Sequence, residues 1–116
     1  MYSDLTAYRE VSISIPDGSK VTGNRTGVFI LQNRWILING EVSLSFVNMT
    51  NWSQEILLSC SEHPIRDTNF TAIDETGYGF TCSFKTTGLI TMSLRGYIPE
   101  NKSQILRFSH IAFMSV

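Results

Sequence analysis

The chain has 116 residues, enough for one hydrophobic core and too few for two. Nine Lys plus Arg against ten Asp plus Glu leave a formal net charge of −1, which excludes the global field that recruits nucleic acid or anionic membrane. Charged residues make up 16% and hydrophobic residues 42%, a balance that predicts surface hidden against another subunit, most simply a copy of the same chain.

Residues 1–7 carry little pattern. Val11, Ile13 and Ile15 alternate with Ser12 and Ser14, predicting a short strand that ends at the turn Pro16-Asp17-Gly18. Gly23-Asn24 marks a second turn or a bulge. The densest apolar stretch follows, Gly27 to Phe46, with hydrophobic runs Val28–Leu31 and Trp35–Ile38 split by Gln32-Asn33-Arg34, a hairpin-length connection. Continuous apolar runs predict strands covered on both faces. The later part alternates strictly, Val42, Leu44 and Phe46 against Glu41, Ser43 and Ser45, as a half-buried strand does.

Asn39-Gly40 reads either as a second hairpin turn or as a bulge within one strand from Trp35 to Phe46. A phase change of one residue between Trp35, Leu37 and Val42, Leu44, Phe46 favours the long strand with an inserted residue. Ile36 and Ile38, however, keep phase with Val42 without any insertion.

Val47 to Gln54 is a polar loop carrying Trp52, and Ile56-Leu57-Leu58 centres the next strand. A longer connection, 60–68, holds Pro64. A strand over Asn69–Asp74 turns Phe70 and Ala72 or Ile73 inward. Glu75-Thr76-Gly77-Tyr78-Gly79 is a turn, Phe80, Cys82 and Phe84 alternate with Thr81 and Ser83, and Thr87-Gly88 closes a tight hairpin onto Leu89–Ile98. After the loop 99–104, a last strand runs from Ile105 to Val116. No amphipathic segment of helix length occurs. Turn signals about every ten residues predict an all-β fold, an antiparallel β-sandwich or barrel of jelly-roll type with about eight strands. An immunoglobulin pattern fits badly, because Trp35 precedes both cysteines instead of lying between them.

Cys60 and Cys82 are expected as buried free thiols, since two cysteines make no disulfide framework and nothing completes a zinc set around Cys60 and His63. No run is long enough for a transmembrane helix, and the opening Met-Tyr-Ser-Asp-Leu-Thr lacks a signal-peptide pattern. The expectation is cytoplasmic synthesis or an excised domain, with no membrane insertion.

The run Asn33-Arg34-Trp35-Ile36-Leu37-Ile38-Asn39-Gly40-Glu41-Val42-Ser43-Leu44 resembles the opening of the C-terminal head domains of bacteriophage tail-fibre and receptor-binding proteins. The order that follows is similar too. It comprises an apolar strand (Ile56-Leu57-Leu58), a proline-and-arginine element (Pro64-Ile65-Arg66-Asp67-Thr68), a strand with Phe70 and Ala72, and a Thr-Thr-Gly-Leu-Ile turn over Thr86–Ile90. The resemblance covers Gly27–Val116, and the chain departs from it where Ser61-Glu62-His63 replaces a leucine-proline pair. It implies a head domain over 27–116 with 1–26 as a lead-in packed on it. It also implies a homotrimer at the virion tail tip that binds host cell-surface polysaccharide and joins other tail or baseplate proteins. The apolar runs Val28–Leu31 and Trp35–Ile38 then become a candidate contact between subunits.

Catalytic motifs are missing: there is no nucleophile elbow, phosphate loop or paired-histidine metal motif, so the expectation is a binder without cofactor or metal. His110 is expected to pack in the last strand. Asp74 and Glu75 are adjacent and point to opposite faces of a strand. If strands alternate up and down, loops 48–54, 75–79 and 99–104 share one end, and loops 32–34, 60–68 and 87–88 the other. The first end gathers Trp52, Glu75, Tyr78, Glu100, Asn101 and Lys102. Aromatic faces with carboxylates and amides are what saccharides require, so Trp52, Glu75, Tyr78, Glu100 and Asn101 form the candidate site. His63, Arg66 and Asp67 form a second candidate patch at the opposite end.

Five triplets beginning at Asn24, Asn48, Asn51, Asn69 and Asn101 match the N-glycosylation pattern, where seven Asn and 25 Ser plus Thr predict about 1.5 by chance. That excess favours the rival reading, a secreted or viral-surface glycoprotein domain that binds another protein. A structural tail component without ligand is the third.

Overall fold

The computed structural model describes residues 8–46, 49, 52–94 and 103–114. Ten strands follow one another: β1 Tyr8–Glu10, β2 Ile13–Ser14, β3 Val21–Asn24, β4 Gly27–Leu31, β5 Trp35–Ser45, β6 Gln54–Cys60, β7 Thr68–Ile73, β8 Gly79–Phe84, β9 Leu89–Ser93 and β10 Ser103–Phe113. All pairings are antiparallel, in the order β1-β4-β5-β10-β7-β8-β9-β6-β2 with β3 on β5, and no helix occurs among the described residues. The all-β expectation holds: the sheet curls around one core.

The closing device is the N-terminal segment. β1 pairs with β4 (Tyr8↔Leu31 to Glu10↔Phe29), and Val11 N donates to Val28 O at 2.8 Å. From the next residue on, the same segment has crossed to the opposite sheet edge, where Ser61 N donates to Ser12 O and β2 pairs Ile13 with Cys60. One extended stretch thus borders both edges and satisfies backbone groups that an open sheet would leave bare.

β5 is one strand of eleven residues, continuous in register with β10 from Trp35↔Phe113 to Ser45↔Ser103. Here the sequence expectation needs correcting, because no residue is inserted at Asn39-Gly40. Ile36, Ile38, Gly40, Val42 and Leu44 all face inward, and Trp35 and Leu37 face outward. Gly40 is instead a close-approach glycine: a Cβ there would run into the ring of Phe108, its register partner on β10. Register shifts occur elsewhere, between Val21 and Gly23 and between Ile56 and Leu58. The second lets consecutive Leu57 and Leu58 both be buried completely, which strict alternation forbids.

Gln32 and Asn33 take φ +54° each, and Arg34 N donates to Leu31 O at 3.0 Å, so the β4–β5 connection is a tight turn of the primed, hairpin-forming type. At the β8–β9 turn Gly88 has φ +89°, its N–H donates to Lys85 O, and a Cβ would collide with Cys60 O.

The core is the inward alternation of every long strand: Ile36, Ile38, Val42 and Leu44 on β5, Phe70 and Ala72 on β7, Phe80, Cys82 and Phe84 on β8, Leu106, Phe108 and Ala112 on β10. Burying one such large side chain contributes roughly 1.5–3 kcal/mol. Aromatic rings meet inside the sheet, Phe46 on Phe80 at 5.7 Å and Phe70 on Phe108 at 5.3 Å. Cys60 and Cys82 are buried free thiols, as the sequence implies.

Candidate functional site

The register sorts the turns into two ends as the alternation of strands requires. The start of β6, the 74–79 turn, the end of β9 and the start of β10 lie together; the 32–34, 60–68 and 85–88 connections lie at the other end.

At the first end Asp74 builds the turn. Its side chain is buried, and Oδ1 accepts from Thr76 N (2.8 Å), Thr76 Oγ1 (2.6 Å) and Tyr78 N (3.0 Å). The short oxygen acceptor replaces a backbone carbonyl and folds the chain back. Gly77, at φ +89°, completes the reversal, with Gly77 N donating to Asp74 O and Asp74 N to Tyr78 O. Glu75 follows in the turn, beyond the end of β7 and exposed to solvent, and Tyr78 stands edge-on to Phe80 at 4.9 Å. Asp74 Oδ2 and Gln104 Oε1 are buried acceptors without a hydrogen-bond partner on the inward side of this end.

Trp52 sits just before β6 with φ +69°, and the residue is 72% exposed. It does not fold back over the core. The chain beside it is fixed by Leu94 N donating to Ser53 O (2.9 Å) and by Ser53 Oγ donating to Glu55 Oε2 (3.2 Å). Gln54, Ser93 and Thr81 form one row across β6, β9 and β8, so Trp52 and Tyr78 leave the sheet two strands apart, on the order of 10 Å. Glu100 and Asn101 lie outside the described residues.

At the opposite end Asp67 is committed to its own scaffold. Its Oδ1 accepts from Thr86 N at 2.8 Å, and Oδ2 lies 3.7 Å from Lys85 Nζ, so it pins the 85–88 turn. His63 and Arg66 are exposed nearby in the chain, with His63 Nδ1 3.2 Å from Pro64 O. His110 faces inward: it stacks on Phe70 at 4.8 Å, and its Nε2 lies 2.7 Å from Thr68 Oγ1. Burial pushes its pKa below the ordinary histidine value.

Two rows of large apolar side chains stand on the outward face of β1, β4, β5 and β10. Register places Tyr8, Leu31, Trp35 and Phe113 in one row, and Phe29, Leu37 and Ile111 in the next. Trp35 stacks on Phe113 at 4.2 Å, and Tyr8 meets Phe29 edge-on at 6.1 Å. Ile111 is 57% exposed and Phe113 48%. Their summed apolar surface is on the order of several hundred Å², the size at which a patch stops being incidental.

No protein-family model matches this chain, and no curated protein matches it in sequence.

Along the same outward face the character changes below Leu37. Arg107 Nε donates to Glu41 Oε1 at 3.0 Å, and Ser109 Oγ donates to Asn39 Oδ1 at 3.1 Å. These polar cross-strand pairs border a groove of about 530 Å³. Sequence reasoning placed binding in the loops and passed over this face. The available signal was the outward parity of Asn39, Glu41, Arg107 and Ser109, unreadable until the register between β5 and β10 is known. No group of three or more potential metal ligands exists among the described residues.

Proposed function

We propose that the chain is the head domain of a phage receptor-binding or tail-fibre protein, copies of which pack through the apolar outward face and recognise host cell-surface saccharide through the loop end. The observation that carries the reading is Trp52. A tryptophan left 72% exposed, on backbone at positive φ beside Ser53, which is tied to the sheet, takes no part in the buried core. An indole face presented this way packs on the C–H surface of a sugar, while a carboxylate such as Glu75 accepts hydrogen bonds from its hydroxyls.

Assembly follows from a separate feature. Seven apolar residues on one sheet face are costly to leave in water, and an interface between copies covers them. Several copies would present several loop ends, so weak contacts add up to avid attachment.

A glycan array probed with wild type and with Trp52→Ala/Tyr78→Ala tests the reading. Wild type is expected to retain a set of cell-surface glycans and the double variant to lose it. Equal retention by both, or retention of none by wild type, removes the saccharide site.

A further inference from the structure

The 530 Å³ groove lies on the outward face where β10 and β7 share the single register pair Arg107↔Ile73. Arg25 N donates to Glu41 O, and Glu41 pairs with Arg107, so one row from the β3–β4 connection across β5, β10 and β7 reads Arg25, Glu41, Arg107, Ile73. The two guanidinium-bearing residues are two strand spacings apart, about 10 Å between backbones. Glu41 stands between them and holds the Nε of Arg107, so the free positive charge of the row is that of Arg25.

Their states differ. Arg107 spends its Nε on Glu41 and keeps its terminal nitrogens, whereas Arg25 is exposed and has no ion pair with any described residue. Thr71 and Ser109 add hydroxyls to the wall, and Ile73, half exposed, adds an apolar surface. A second hollow of about 350 Å³ adjoins the first and shares Arg25 and Glu41 with it. Flanking Arg25, Asn24 Oδ1 and Thr26 Oγ1 are buried without partners. Two adjoining hollows with a guanidinium and a carboxylate at their junction form an extended track, not a closed pocket.

We infer that this track binds an acidic saccharide, with its phosphate or carboxylate on the unpaired Arg25 guanidinium and its hydroxyls against Glu41, Asn39, Thr71 and Ser109. Guanidinium forks match both oxyanions by paired N–H donors. The volume is that of a small-ligand site. A nucleic acid fits less well, because the groove offers one unpaired cation and no exposed aromatic platform, and the chain carries a net charge of −1. This assignment uses none of the residues at the Trp52 end, so it can fail or stand independently of the loop site.

The test is isothermal titration of the full chain with three probes: an oligogalacturonate, a glycerol phosphate oligomer and a neutral dextran oligomer, with single-stranded DNA as control. One or both acidic probes are expected to bind, more weakly as salt is raised, and Arg25→Gln is expected to lower that affinity about tenfold. Arg25 has no ion pair to break among the described residues, so the variant should melt with wild type. The preferred acidic probe tells carboxylate from phosphate. Absence of acidic-probe binding, binding indifferent to Arg25→Gln, or tighter binding of DNA than of either saccharide overturns the assignment.

Discussion

Gly40 shows how one residue is constrained by a neighbour that sequence does not reveal. It sits mid-strand on the inward face, and the ring of Phe108 occupies the place of its missing side chain. Gly40→Ala is expected to destabilise the fold by about 1–3 kcal/mol in denaturant titration, the usual cost of overpacking a filled core. A loss under 0.5 kcal/mol would mean that the ring moves freely. The buried thiols have a simpler signature. Burial pushes both Cys60 and Cys82 up to about 12, so the native protein should react slowly with a thiol reagent at pH 8 and completely once denatured. Fast native labelling of both would contradict their placement. His110 adds a pH dependence whose sign is fixed. Its folded pKa lies below the unfolded value near about 6.5. Between the two values the unfolded chain binds more protons, so this residue's contribution to stability is full at neutral pH and declines as pH falls through that window. His110→Gln should flatten the slope of melting temperature between pH 7 and 5. An unchanged slope would assign it to other groups.

At the scale of elements, much of the fold is legible from period-two alternation. The inward sets of β7 and β8, the 32–34 and 85–88 turns and the long β5 all follow from local pattern. The failures share a cause. Asn39-Gly40 looks like a turn or bulge because Asn and Gly favour both locally, yet the deciding partner, Phe108, lies 68 residues away in sequence. The Leu57-Leu58 shift and the crossing of the N-terminal segment from β4 to β6 likewise depend on long-range pairing. So does the site. The sorting of loops into two ends needs only strand alternation, but Asp67's role in pinning the 85–88 turn and the polar groove need cross-strand register. The crossing segment gives a further expectation. Val11 is buried between its two pairings, and Val11→Asp should open both edges together, seen as faster amide exchange in β4 and β6 at once. Faster exchange in one edge alone would show that the pairings are independent.

On the scale of the whole molecule, the outward surface is divided. One part carries two apolar rows, the middle carries paired charges over a groove, and the loop end holds a solvent-facing indole out from the sheet. The apolar rows are the part that physical chemistry least permits to remain wet, and the account of this chain as one head among several rests on their being covered by copies of it. A standard interface buries about 800 Å² per partner, and the rows supply an apolar centre for one. The decisive measurement is the mass in solution by light scattering at micromolar concentration. The account predicts about 39 kDa, three times the 13.1 kDa chain, with Leu37→Lys/Ile111→Lys returning a folded 13.1 kDa monomer. A wild-type chain that is monomeric throughout that range would contradict it.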